Sequence, residues 1–176
     1  ADYRLTSQVE NGRSVYTFCM CPGGSVIASA SSQGHLVTNG MSEHARDLKN
    51  ANSGLLVNVT IDDYGSDHPL AGIDFQEKYE AMAFELGGSN YHAPCQLVGD
   101  FLAGRPSRGL ASVRPSYRPG VKPTNLALCL PDFVVEAMRQ GLVDMDKRLK
   151  GFAMPDAVLT GVETRSSAPV RINRDK

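Results

Sequence analysis

Two cysteines one residue apart, Cys19-Met20-Cys21, stand directly before Pro22-Gly23-Gly24. Thiolates are soft ligands for zinc or copper, so the pair offers half of a metal site, with Cys95, Cys129 and His92 as the groups that folding would have to bring in. Small buried residues on a strand are the plainer reading of a lone CxC. A dithiol redox pair is disfavoured, because CxC is strained as a disulfide and no helix N-terminus follows to lower a thiol pKa. Pro22 sets φ, and the two glycines can turn sharply and lie close against a flat ligand. A second group of polar side chains runs Glu163-Thr164-Arg165-Ser166-Ser167 and on to Arg171. A guanidinium there could grip a carboxylate or phosphate with two parallel N–H groups, whereas composition alone favours a hairpin with a surface ion pair. Asn39-Gly40-Met41-Ser42 is open to the same two readings, a turn entering a helix or backbone N–H groups facing an anion.

Other chemistry is absent from the sequence pattern. His35, His44, His68 and His92 show no HxH or HExxH spacing, and no serine sits in a nucleophile elbow. Neither Gly23-Gly24 nor Gly87-Gly88 extends to GxGxxG, and there is no Walker sequence. The chain carries no phosphate cradle of its own.

Periodicity indicates the elements that must position these groups. Tyr16, Phe18 and Met20 alternate with Thr17, Cys19 and Cys21, and Val26-Ile27 follow the Pro-Gly-Gly break, which reads as a hairpin over Ser14 to Ala30 with the cysteines at its tip. Residues 29–40 read as loop or a short edge strand, and Ser42-Glu43-His44 as the opening of a short helix. Gly54 to Ile61 is rich in β-branched residues and is expected in the centre of a sheet. Phe75, Tyr79, Met82, Ala83 and Leu86 recur at helical spacing between Pro69 and Gly87-Gly88. A short helix is expected around Leu97 to Leu102. Gly104 to Pro123 holds four prolines and three glycines, the composition of a long irregular connection. Phe133, Val134, Ala137, Met138, Leu142, Met145 and Leu149 then form a second helical stripe, begun by Pro131 and ended by Gly151. Ala157 to Glu163 and Pro169 to Ile172 read as strands. The order implies an α+β fold, with a mixed or antiparallel sheet built from N- and C-terminal strands around a central helical portion: 1–61 and 152–176 mainly strand, 62–151 mainly helix and loop.

The 176 residues suit one domain, and 41% apolar content is ordinary for one of that size. Lys plus Arg number 18 against 19 Asp plus Glu, a net charge of −1, which gives no basic excess for nucleic acid. No apolar run approaches the roughly 20 residues of a membrane span, and the start shows no signal core, so a cytoplasmic chain without a membrane partner is expected. The first residue is not Met, and the last residues resemble a strand soon after its start. Both are expected of a domain excised from a longer protein.

Taken in order, Tyr16 to Gly24, Asn39 to Ser42, Asn50-Ala51-Asn52-Ser53, Gln96 to Leu102 and Leu159 to Ser167 resemble the bacterial FAD-dependent dehydrogenases, NAD(P)/FAD-dependent oxidoreductases of the two-dinucleotide-binding-fold class. The likeness covers nearly the whole chain, but only the domain inserted on the substrate side. The N-terminal GxGxxG unit and the C-terminal glycine-rich segment of that family are not in it. The resemblance implies a domain that covers the flavin and shapes the substrate pocket, inactive and without cofactor when isolated. FAD, with NAD(P)H as a further candidate, would belong to the full-length protein, and the partners would be the flanking FAD-binding domain and a small-molecule substrate. It also implies that Pro22, Gly23, Gly24, Glu163, Thr164, Arg165 and Ser166 face the cofactor and Asn39, Met41 and Arg171 the substrate, with Cys19 and Cys21 as candidate reactive groups. Two alternatives come from other classes. One is a thiol metal-binding module, and the other is an interaction domain using the Pro-rich loop 104–123.

Overall fold

The computed structural model describes residues 4–168 together with Val170 and Asn173. Arg171 and nearly all of the strand expected at Pro169 to Ile172 lie outside these residues.

Three small sheets and two long helices make up the described residues, an α+β arrangement with both antiparallel and mixed pairing. The first sheet holds β1 (Thr6–Gln8), β2 (Ser14–Cys21) and β5 (Asn52–Val57) in the order β1-β2-β5, all antiparallel. β3 (Ser25–Ala28) and β4 (Thr38–Met41) pair with each other in a second sheet. The third is mixed: β6 (Ala93–Leu97) lies between β7 (Val121–Pro123), parallel to it, and β8 (Val158–Thr160), antiparallel.

This partition corrects three of the expectations. Pro22-Gly23-Gly24 turns the chain, but β3 leaves for another sheet instead of folding back on β2, so no hairpin forms. β5 is an edge strand, and β2 takes the centre. The N- and C-terminal strands occupy different sheets, because β8 finds its partner in β6, a strand with no alternating pattern in the sequence: Ala93, Pro94, Cys95 and Gln96 are all buried. The two regions still meet, through a hydrogen bond from the Thr38 N–H to the Val162 carbonyl (2.8 Å). No helix forms after Ser42; a turn closed by the Arg46 N–H on the Glu43 carbonyl stands there.

The helices follow their periodicity closely. α1 (Ala71–Gly87) ends where Gly88, at φ +106°, donates to the Glu85 carbonyl and Ser89 to that of Phe84. α2 (Val98–Leu102) is a single short turn, and α3 (Asp132–Arg148) begins after Pro131. α3 lies across the first sheet so closely that a Cβ at Gly141 would fall 2.7 Å from Val15 Cβ. Val15, Ala137 and Met145 are fully buried in that contact, with Leu5 and Val9 beside them. The inward face of β2 is thus Val15 and Thr17, not the larger Tyr16 and Phe18. Thr17 is tolerated there because its hydroxyl accepts from the Leu5 N–H at 2.7 Å.

A bidentate ion pair ties the start of β2 to the 3-10 turn Ile61–Tyr64. Arg13 places Nη1 and Nη2 2.7 and 2.6 Å from the two oxygens of Asp63, and its guanidinium covers the Phe133 ring of α3. This hydrogen-bonded arginine pulls the Asp63 carboxyl down to about 2.

Candidate functional site

A cavity of about 1040 Å³ runs between β5, α1, α3 and the segment from β8 to Ala168. That exceeds the volume of most small-ligand sites, at roughly 300–1,000 Å³. Its apolar wall comes from Leu55, Leu56 and Val57 of β5, Val134, Met138 and Leu142 of α3, and Leu159. An aromatic row contributes Tyr64, Phe75 and Tyr79, with ring centroids 5.7 and 4.9 Å apart in succession. The Pro-rich connection belongs to the wall as well. Ser116 Oγ accepts from the Val26 N–H at 2.9 Å, and Val113, Pro115 and Ser116 line the space.

Glu163 is the sole carboxyl among the described lining residues. The backbone around it is held on both sides. Thr38 takes the Val162 carbonyl, Gln76 Nε2 donates to the Thr164 carbonyl at 2.6 Å, and the Thr164 hydroxyl donates to Glu80 at 2.6 Å. The Glu163 side chain itself has no hydrogen-bond or ion-pair partner among the described residues, and burial alone pushes its carboxyl above the ordinary 4.5. Gly54 makes room for it, since a Cβ there would lie 2.8 Å from Glu163 Oε2.

Asn52, at the start of β5, presents a second set of unspent polar atoms. Its Oδ1 and Nδ2 are buried without partners among the described residues, and a Cβ on Gly40 would lie 2.3 Å from Oδ1. Buried amide atoms are nearly always paired, and an exception of this kind in a cavity wall is a feature that a ligand or water would satisfy. Local periodicity does not mark Asn52 as a polar contact; its pairing opposite Cys21 of β2 places it.

The residues singled out from the sequence divide into two groups. Asn39, Glu163, Thr164 and Ser166 line the cavity. Cys19, Cys21, Pro22, Gly23, Gly24, Met41 and Arg165 are not among its lining, and Arg171 lies outside the described residues. Arg165 is engaged elsewhere. Its Nε and Nη2 take the two oxygens of Glu80 at 2.9 and 2.7 Å, and Nη1 reaches Ser31 Oγ. Glu80 is completely buried in α1, so the guanidinium neutralises an internal carboxylate and spends most of its N–H groups within the fold.

The thiols also have structural surroundings. Cys19 is exposed at a bulge in β2, with φ +47°. Cys21 donates to the Cys19 carbonyl at 3.1 Å, and burial, with the neighbouring Cys19 and Glu163 adding to it, raises its pKa. Burial pushes Cys95 up to about 11 and Cys129 up to about 12. Buried thiols of this kind are held protonated and unreactive. Among the described residues no three His, Cys, Asp or Glu side chains converge into a metal-binding group. The metal-module alternative therefore lacks a ligand set there. No helix of the described residues is long and apolar enough to cross a membrane.

An α+β domain whose large apolar cavity carries, among the described residues, a single carboxyl and an amide without partners is the class that fold and site define. The chain belongs to the FAD-dependent protein, C-terminal domain-like family, which it matches over residues 1–166. It is 58% identical over 176 residues to an "Uncharacterized protein" of Clostridium beijerinckii, an alignment that takes in 99% of this chain and 33% of the relative. The chain thus spans about a third of the length of that protein.

Proposed function

We propose that this domain is the substrate-side wall of a flavin site in an FAD-dependent oxidoreductase, covering the flavin and shaping the pocket beside it. The observation that carries the reading is Glu163: a carboxyl on a cavity, without a partner among the described residues while the backbone on both sides of it is anchored. Such an arrangement fixes the position of a group and leaves its bonding free.

The lining fits one end of FAD. Asn39, Asn52, Glu163 and Thr164 offer mixed donors and acceptors suited to the alternating C=O and N–H edge of a flavin ring, and Ser166 adds a hydroxyl. It does not fit a pyrophosphate, since Lys49 and Lys150 are the only cations among the described lining residues and no glycine-rich helix N-terminus faces the space. The phosphate end belongs to a neighbouring part of the full-length protein. When bound, FAD supplies hydride acceptance and donation. The residues of this chain orient, desolvate and handle protons. Leu55, Leu56, Phe75 and Leu159 keep water from the reacting centre. Glu163, whose burial favours the neutral form, donates a proton from its carboxyl to a developing anion or, once ionised, accepts one. Dehydrogenase activity and NAD(P)H as the partner reductant are part of the same proposal.

The test compares the visible absorption of the complete reading frame with that of the 176-residue piece. Flavin bands in the full-length protein and none in the piece are expected. A full-length protein that purifies colourless and takes up no added FAD overturns the reading.

A further inference from the structure

We infer that the substrate of this site is an amphiphilic anion: a flat or extended apolar body in the cavity, with a carboxylate, sulfonate or phosphate end held at the Lys49–Arg114 corner. The inference rests on the functional reading above and adds the chemical class of the ligand.

The charge of the lining is asymmetric. Glu163 is its one described carboxyl, and Lys49 is an exposed lining residue with no ion-pair partner among the described residues. Three loops are bonded together around Lys49. Asn50 Nδ2 donates to the Arg114 carbonyl at 2.7 Å, the Gly24 N–H donates to the Asn50 carbonyl at 3.1 Å, and the Leu48 N–H donates to the Gly23 carbonyl at 3.3 Å. The Arg114 backbone is thereby held beside the lining residues Val113, Pro115 and Ser116, and its exposed side chain also has no ion-pair partner among the described residues. It belongs to a connection of unusual charge. From Gly104 to Pro123 the sequence holds Arg105, Arg108, Arg114, Arg118 and Lys122 and no Asp or Glu, in a chain whose net charge is −1. Arg105 is paired with Asp100. Glu43 and Asp47 lie on the same loop as Lys49 and offset part of its field, but neither is a lining residue.

Distance and polarity complete the assignment. Asn50 and Gly54 are four residues apart, so an extended chain separates them by at most about 14 Å. Gly54 touches Glu163. A molecule whose charged end is at Lys49 can therefore present atoms to Glu163 while its body covers Leu56 and the aromatic row. Two exposed cations supply long-range attraction and a modest contact energy, and the apolar wall supplies the rest.

Two probes separate these contributions on the full-length holoprotein. Anilinonaphthalene sulfonate carries an aromatic body and an anion, and phenylnaphthylamine is the same body without the charge. Equilibrium dialysis at low salt is expected to show the sulfonate bound about tenfold more tightly, a difference of about 1.4 kcal/mol. Lys49→Gln combined with Arg114→Gln should remove most of that advantage and change phenylnaphthylamine binding less than about twofold, as expected for surface charges. Equal affinity of the two probes overturns the inference, and so does an advantage that survives in the double variant. Flavin absorbance of the same samples keeps the two readings apart. Missing flavin in the wild-type protein defeats the functional reading, whereas intact flavin with charge-blind binding defeats only the substrate class.

Discussion

Glu163 occupies the position at which a single side chain says most about function. Its carboxyl is half-buried, faces the cavity and has no described partner, so ionising it in the folded state is unfavourable. The folded pKa lies above the ordinary value of 4.5. This group therefore adds most to stability below that value, and its contribution is lost as pH rises through the raised folded pKa. Glu163→Gln removes the titration. The melting temperature of the variant should match that of the wild type at acidic pH and move above it toward neutral pH, while turnover by the proposed full-length oxidoreductase should fall by about 10²-fold or more if the carboxyl acts as its general acid or base. A pH-independent difference in melting temperature would assign the carboxyl to packing instead. Cys21, in contrast, is kept as a thiol by burial, and its hydrogen bond to Cys19 is local to the bulge.

At the level of elements, the contact between α3 and β2 sets the architecture. Val15 sits where a side chain at Gly141 would be, and the helix lies on the sheet at a distance that only glycine permits. Gly141→Ala should gain up to about 1 kcal/mol of helix propensity and still destabilise the domain by about 1–3 kcal/mol through overpacking. A denaturation midpoint measured on the domain decides the sign, and an unchanged or higher midpoint would mean that the helix can move outward. The same contact fixes β5 and hence the wall of the cavity, since Leu55 and Val57 pack on both α3 clusters.

Across the whole molecule, the Arg165–Glu80 pair joins the segment after β8 to α1 and to the loop at Ser31, linking residues 85 apart in sequence. It explains why a glutamate can sit on the buried face of α1. Arg165→Ala would leave that carboxylate unpaired in the interior, at a cost of about 3 kcal/mol, the low end for such pairs because Arg165 is 35% exposed. Pairing it with Glu80→Gln should restore much of the loss in thermal denaturation. Composition favoured an ion pair for this arginine, though a surface one, and the resemblance a place facing the cofactor; equal stability of Arg165→Ala and wild type would favour the latter.

Local periodicity was enough to read α1, α2, α3 and the α+β class, because each depends on neighbours within a few turns; the 104–123 connection, expected to be irregular throughout, ends in β7, whose pairing with β6 is long-range. Glu163, Thr164 and Ser166, set toward the cofactor by the resemblance and not by composition, line the cavity. Sheet membership was not legible. Whether β3 returns to β2 or leaves for β4, and whether β8 meets the N-terminal strands or β6, depends on pairings between distant residues that leave no trace in a local pattern. Tertiary structure likewise decided that Arg165 neutralises Glu80 and that the amide of Asn52 is buried with no partner among the described residues. In each case the deciding quantity is desolvation, which a side chain acquires only when the rest of the fold closes around it.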